Sequence, residues 1–233
     1  MQRTENTIST YGAPPYFSTA PASEHLRASS AKDVRYRIAK RTLDIVVAAT
    51  MLVLLFPLFV LIALLVSLPK GEPAFYWQLR VGQNGRRFRF YKFRSMVVGA
   101  DAIKASLMAK NEADGPIFKI KHDPRVTPVG RILRRYSLDE LPQLIHVLRG
   151  EMSLVGPRPH LPQEIADCSH YPAERLTVPP GLLCLREVGT RSLMSFDQWL
   201  DSDLEYIRTR SLRTDFSILC RAFRAVAQAE GAY

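Results

Sequence analysis

Ser137-Leu138-Asp139-Glu140 places two carboxylates side by side behind a hydroxyl, at what reads as a helix start. Ser-x-x-Glu is a capping-box pattern, with Ser137 capping the first turn and Glu140 answering it. On that reading Asp139 only complements the helix dipole. The same physics also supports chemistry. A helix N-terminus carries unpaired N–H groups and partial positive charge, so it keeps a nearby carboxylate ionised and receives phosphate. An ionised Asp can attack phosphorus and form an acyl phosphate. A neighbouring Glu can hold a magnesium ion that bridges diphosphate oxygens. Both readings stay open at this point.

Arginines gather around this pair in the sequence: Arg125, Arg131, Arg134, Arg135, Arg149 and Arg158. Guanidinium suits bidentate phosphate contact, although each one singly also reads as a solvated surface charge. Arg158 differs from the rest. In Gly156-Pro157-Arg158-Pro159 two prolines fix the backbone on either side and aim the side chain. None of the five histidines (His25, His122, His146, His160, His170) has metal-ligand spacing or a nucleophile partner, so they read as structural. Cys168, Cys184 and Cys220 are widely spaced and odd in number, which argues against disulfides and structural zinc.

The 233-residue chain carries a formal charge of +10, so its partners are anionic. Anionic membrane lipid and phosphorylated small molecules fit. Nucleic acid is not expected, because the basic residues are interleaved with turns and acids and no recognition module or Walker motif is present.

The elements that must position these groups begin with an apolar run from Ile45 to Leu68. One straight helix of that length would measure about 36 Å, enough for a hydrocarbon core of about 30 Å. Pro57 interrupts it, leaving halves of about 18 Å that are too short to cross alone. Both flanks are basic: Arg35, Arg37, Lys40 and Arg41 before, Lys70, Arg80, Arg86, Arg87 and Arg89 after. A hairpin that dips in and returns keeps both flanks on one side, whereas a kinked span separates them. Asp44, at the apolar boundary, is expected to pair with Lys40 at i,i+4. Residues 1–34 read as a polar disordered tail, 35–70 as the membrane helix and 71–233 as the catalytic domain.

Further on, 74–80 and 88–94 flank an Asn84-Gly85 turn and predict a β-hairpin, the second strand with one apolar and one cationic face. Residues 100–110, 129–136 and 138–149 predict helices. Ser195-Phe196-Asp197-Gln198 opens another. An amphipathic helix closes the chain from Leu212 to Ala229, with Leu212, Phe216, Leu219, Cys220 and Phe223 on one face that could meet the core or a membrane surface. The fold class is a helix-dominated α+β.

Several blocks together resemble the bacterial sugar transferase family, the monotopic phosphoglycosyl transferases. They are Lys40-Arg41-x-x-Asp44, the Pro-broken segment, Gln78-x-Arg80-Val81-Gly82-x-x-Gly85, Tyr91-Lys92-Phe93-Arg94-Ser95-Met96 and Asp123-Pro124-Arg125-Val126-Thr127. Ser137 to Gln143 and Gly150 to Pro159 complete the set. The resemblance implies a re-entrant N-terminal helix, amphipathic interfacial helices, and a monotopic protein on the cytoplasmic face of a bacterial inner membrane. It also implies transfer of a sugar-1-phosphate from a UDP-sugar to a polyprenyl phosphate, undecaprenyl phosphate, with release of UMP at the first membrane step of exopolysaccharide or related glycan synthesis. Asp139 would be the nucleophile and Glu140 the ligand of Mg2+. Arg134 and Arg158 would handle phosphate, Lys92 and Arg94 would lie near the headgroup site, and Arg191 and Asp203 match further substrate-side positions. A homodimer is left open. The extra membrane region of larger relatives is not expected.

The chain departs from the family pattern at Pro179, Leu183, Cys184 and Glu187, where relatives carry Arg, Thr, Gly and Gln. The loss of a hydroxyl at Leu183 removes a hydrogen-bonding group. A second expectation therefore stands beside the enzyme: a catalytically weakened relative acting as a membrane-anchored interaction or regulatory protein.

Overall fold

The computed structural model describes residues 31–69, 71–185 and 194–227. The expected tail up to residue 30, Lys70, Glu187 and Arg191 lie outside the described residues. Helix α1 (Ala31–Leu54) breaks at Leu55 into α2 (Phe56–Ser67), and the two axes bend by 61°. The break falls two residues before Pro57, which occupies the first turn of α2, where its missing N–H costs no helical bond. No single helix among the described residues is long and apolar enough to cross a membrane, although the bent pair together has the composition.

Strands β1 (Phe75–Val81) and β2 (Arg87–Phe93) form the antiparallel hairpin, in register from Phe75 opposite Phe93 to Val81 opposite Arg87. Asn84 and Gly85 take positive φ at its tip, as that turn requires. The expected single apolar face of β2 is not what forms. Phe88 and Phe90 enter the main core, but Phe93 points the other way and meets Ile62 and Leu133. The reason is that α2 covers the far end of the hairpin, with Phe59 edge-on to Phe93 at 5.4 Å between ring centres. Burying a side chain like Phe93 is worth about 1.5–3 kcal/mol, so the packing fixes α2 against the strand that carries Lys92.

The 100–110 segment is a short helix, α3 (Ala100–Lys104), running into a 3₁₀ stretch. Helix α4 (Pro128–Arg135) starts on the Thr127 side chain, which accepts from Gly130 N at 2.9 Å. Gly130 has to be glycine, because a Cβ there would lie 1.9 Å from Ser95 O. The expected helix over 138–149 is split. Ser137 adopts a left-handed conformation (φ 54°) and makes no cap, Leu138–Glu140 is one 3₁₀ turn, and α5 (Gln143–Arg149) begins only after Pro142. The carboxylate of Glu140 is drawn to cations instead of to Ser137, so the capping box does not form.

Strand β3 (Ser153–Val155) pairs in parallel with β4 (Gly181–Leu183), with α6 (Pro162–Ala166) and a 3₁₀ turn at Ala173–Thr177 between them. Helices α7 (Phe196–Thr209) and α8 (Leu212–Ala227) complete the described fold. The Ser195–Gln198 capping box forms as expected: Ser195 N donates to Gln198 Oε1 at 2.9 Å and Gln198 N donates to Ser195 Oγ at 3.2 Å.

The expected Lys40–Asp44 pair does not form either. Lys40 Nζ bonds Asp215 Oδ2 on α8 at 2.9 Å, while Asp44 accepts from Leu154 N on β3 at 3.1 Å. Both acids are buried, and each finds a partner distant in sequence. Arg41 donates to Val147 O and Leu148 O at 2.6 and 2.8 Å, closing the C-terminal end of α5. Of the flanking cations, Lys40 and Arg41 are thus bonded within the protein, and so is Arg80, through Pro159 O. On α8 the inward side is Asp215, Ile218 and Ala222; Leu212, Phe216 and Phe223 of the predicted apolar face are exposed.

Candidate active site

Asp139 and Glu140 sit in the 3₁₀ turn after α4, under the hairpin. Asp139 is buried, and Leu138 and Leu141 on either side of the pair pack into the cluster around Phe93 and Leu133. Lys92 descends from β2. Its ammonium lies 2.6 Å from Glu140 Oε1 and 4.0 Å from Asp139 Oδ2. Arg158 Nη2 donates to the same Glu140 oxygen at 2.9 Å. Arg134, on the last turn of α4, is held by its Nε bond to Ser95 Oγ at 2.9 Å and acts on Asp139 through its charge.

The two adjacent carboxyls are driven apart. Burial raises Asp139, the charge on Glu140 adds to that, and Lys92, Arg134 and Arg158 only partly offset it. Burial acts on Glu140 as well, but the charges and hydrogen bonds of Arg158 and Lys92 outweigh it and hold that carboxyl well below its ordinary range. Glu140 is therefore a fixed anion. Asp139 is a more basic oxygen base, the property a nucleophile at phosphorus needs.

The loop that carries Arg158 is pinned on three sides. Gly156 N donates to Leu183 O at 2.9 Å, and Gly181 N donates to Pro157 O at 2.8 Å. The backbones lie so close that a Cβ on Gly181 would be 2.1 Å from Gly156 N. From the hairpin, Arg80 Nη1 donates to Pro159 O at 2.8 Å and Val81 N to His160 O at 3.0 Å. Burial pushes the Arg80 guanidinium down to about 10, with Glu164 opposing the shift, so it stays cationic at neutral pH. From the third side Arg175 Nη2 donates to Arg158 O at 3.1 Å, its Nε to Asp203 Oδ2 at 3.0 Å, and its Nη1 to His160 Nδ1 at 3.0 Å and to Tyr171.

Lys92, Asp139, Glu140 and Arg158 are brought together, and Arg134 stands beside them. Arg94 is bound elsewhere, its guanidinium donating to Pro73 O and Phe75 O at 2.8 and 3.2 Å. Asp203 is fully buried against Arg175, whose Nη2 also donates to the Arg158 carbonyl, so that side chain links it to the cluster. Sequence reasoning missed Arg175, which lies in a 3₁₀ turn with no motif around it. Arg80, expected as a basic flank of the apolar run, instead braces the Arg158 loop through Pro159 O. Of the divergent positions, Leu183 packs against the core, where an apolar side chain meets apolar surroundings, and Cys184 is buried. His146 is one of the buried histidines. His146 accepts from Tyr91 N at 3.0 Å and meets Glu151 at 2.6 Å.

Among the described residues no three His, Cys, Asp or Glu side chains gather around a common point. Asp139 and Glu140 are nonetheless a hard oxygen pair, and magnesium characteristically takes one or two carboxylates and completes its shell with water and substrate phosphate. Both cations bond Glu140 through Oε1. The residues present fit such an ion.

The profile of the bacterial sugar transferase family matches residues 35–229. The chain is 42% identical over 197 residues to the galactosyl transferase CpsE of Streptococcus agalactiae, covering 84% of this chain and 43% of that relative. It is 39% identical over 208 residues to the undecaprenyl-phosphate galactose phosphotransferase of Salmonella typhimurium, covering 84% and 42%. It spans less than half the length of those two relatives. Against the exopolysaccharide production protein ExoY of Sinorhizobium fredii it is 37% identical over 200 residues, covering 84% of this chain and 88% of that protein. With a match over most of its length and the paired carboxylates under a lysine and an arginine, the chain belongs to the bacterial sugar transferase family.

Proposed function

We propose that this protein transfers a sugar-1-phosphate from a UDP-sugar to undecaprenyl phosphate and releases UMP. The observation that carries the reading is the division of labour between Asp139 and Glu140: one buried carboxyl made more basic, the other locked as an anion by Lys92 and Arg158. Asp139 attacks the sugar-bearing phosphorus, and the bond from that phosphorus to the UMP oxygen breaks. UMP departs with the electron pair. An oxygen of undecaprenyl phosphate then attacks the same phosphorus and displaces Asp139, which returns as carboxylate and leaves a lipid diphosphate sugar. Lys92, Arg158 and Arg134 hold the phosphate oxygens and offset charge as the transition state forms. Glu140 would hold a magnesium ion, which when bound neutralises diphosphate charge.

The same reading makes the bent α1–α2 pair a re-entrant membrane segment. Its outward side chains are apolar over both halves, from Val46 and Val53 to Phe56, Leu61 and Leu68. The exposed Arg35 and Arg37 before it and Arg86, Arg87 and Arg89 after it then face one anionic surface, the cytoplasmic face of the inner membrane. The exposed Phe216 and Phe223 of α8 suit the same interface. Because Phe59 and Ile62 of α2 pack on the strand and helix that carry Lys92 and Arg134, the membrane segment also sets the height of the site above the lipid.

Purified protein in detergent with magnesium tests the proposal. It should release UMP from at least one UDP-hexose, and Asp139→Asn should remove that release while the protein stays folded. Undiminished release by the Asn variant would defeat the assignment.

A further inference from the structure

A cavity of about 590 Å³ lies between α6, the start of α7 and the loop over 111–118. We infer that it receives the sugar ring of the donor and selects which sugar is transferred. The inference rests on the transferase reading above and adds to it the groups that choose the substrate.

Position comes first. Glu164 lines this cavity, and its Oε2 lies 3.7 Å from Arg80 Nη1. The same Arg80 nitrogen bonds Pro159 O, next to Arg158, and its guanidinium acts on Glu140 and Arg158 through charge. Arg80 therefore ties the wall of the cavity to the loop that carries Arg158. A group joined directly to the reacting phosphorus has to lie in that neighbourhood.

Chemistry decides which end of the donor enters. The lining carboxylates Asp114, Glu164, Asp167 and Asp197 outnumber the lining cation Lys104 in a protein whose net charge is +10. Such a wall repels a diphosphate, which the cluster of Lys92, Arg134 and Arg158 attracts. It suits a neutral ring bearing hydroxyls, since carboxylate and amide oxygens accept from O–H groups and amide and imidazole N–H groups donate to them. The wall is also built in two layers. Asn111 is spent on its loop, donating to Ala113 O and Ile117 O at 3.0 and 2.9 Å, and Asp114 holds Phe196 N at 3.0 Å. In front of them stand two polar pairs with exposed side chains: Gln163 with Asp167 at 2.7 Å on α6, and His170 with Asp197 at 2.8 Å across to α7. Each pair combines a donor with an acceptor, which can read whether a ring hydroxyl is axial or equatorial. A volume near 590 Å³ falls in the usual range for small-molecule pockets.

The test compares kcat/KM for UMP release from UDP-glucose and UDP-galactose in the full chain, with UMP inhibition measured alongside. The variants are Gln163→Ala and Asp197→Ala, both at exposed positions where folding is not in question. The expected result is a change of about tenfold in the ratio between the two epimeric donors in at least one variant, with the UMP inhibition constant unmoved. Equal loss for both donors together with weakened UMP inhibition would make this a nucleoside pocket and overturn the assignment. An unchanged ratio and unchanged rates in both variants would overturn it as well, while wild-type turnover kept the transferase reading alive. A wild-type protein that releases no UMP from any donor overturns that reading and this assignment with it.

Discussion

Arg175 Nη2 donates to the backbone carbonyl of Arg158 at 3.1 Å, so a fully buried ion pair, Arg175 with Asp203, holds the residue that clamps Glu140. Removing one member breaks a fully buried ion pair, a loss of about 3–5 kcal/mol. Arg175→Ala should lower the thermal midpoint and reduce kcat by at least about tenfold, as the clamp on Glu140 loosens. Arg175→Lys keeps the charge on Asp203 but cannot reach Asp203, His160 and the Arg158 carbonyl together. It should recover most of the stability and little of the rate. Full recovery of the rate by lysine would show that Arg175 only supports the fold.

The raised Asp139 carboxyl has a consequence in pH. A nucleophile must be ionised, so UMP release should rise with pH through a value above the ordinary carboxylate range and level off once Asp139 has lost its proton. Lys92 pulls that value down. In Lys92→Met the acid limb should therefore move to higher pH, in addition to any fall in maximal rate. A kcat–pH profile of both proteins checks this, and an acid limb that stays in place or moves lower would contradict it.

Asp215 joins the two ends of the described chain. It accepts from Lys40 Nζ at 2.9 Å, from Tyr36 at 3.0 Å and from Tyr206 at 2.8 Å. Asp215→Asn keeps the shape and removes the charge, leaving the largely buried Lys40 without its counter-ion. The expected loss is about 3–5 kcal/mol, read as a lower thermal midpoint and faster proteolysis between α7 and α8. A variant as stable as the wild type would show that the lysine finds another partner.

The topology of α1 and α2 can be read chemically. With Cys220 replaced by Ser, single cysteines are introduced as Arg37→Cys and Phe75→Cys, at exposed sites on either side of the bent pair. A membrane-impermeant thiol reagent applied to right-side-out spheroplasts should miss both, and in inverted vesicles it should label both. Opposite labelling of the two would mean a span.

Much of this arrangement follows from local pattern. The break near Pro57, the Asn84-Gly85 hairpin and the Ser195 cap are set by nearest neighbours, and the chain obeys them. Where the sequence misled, tertiary partners outcompeted local ones. The pattern Ser137-x-x-Glu140 promises a capping box, but Lys92 and Arg158 take the Glu140 carboxylate and Ser137 turns left-handed. Lys40 and Asp44 are spaced for a helical pair, but buried Asp215 and the β3 backbone offer partners that water cannot replace. The alternation in β2 slips at Phe93 because α2 covers a face that no pattern within the strand announces. Of the site, Asp139, Glu140, Lys92 and Arg158 were legible from their blocks. Arg175 was not, since a buried arginine held by residues 15 and 28 positions away in the sequence leaves no local mark.

The central claim is that Asp139 captures the sugar-bearing phosphorus, and trapping the adduct tests it most directly. The protein is mixed with magnesium and a UDP-sugar it turns over, without lipid acceptor, quenched within the first turnover, digested and mapped by mass spectrometry. The account predicts one phosphosugar on the peptide containing Asp139, formed in step with UMP and lost when undecaprenyl phosphate is added. UMP release with that peptide unmodified, or with the adduct on another residue, would contradict it.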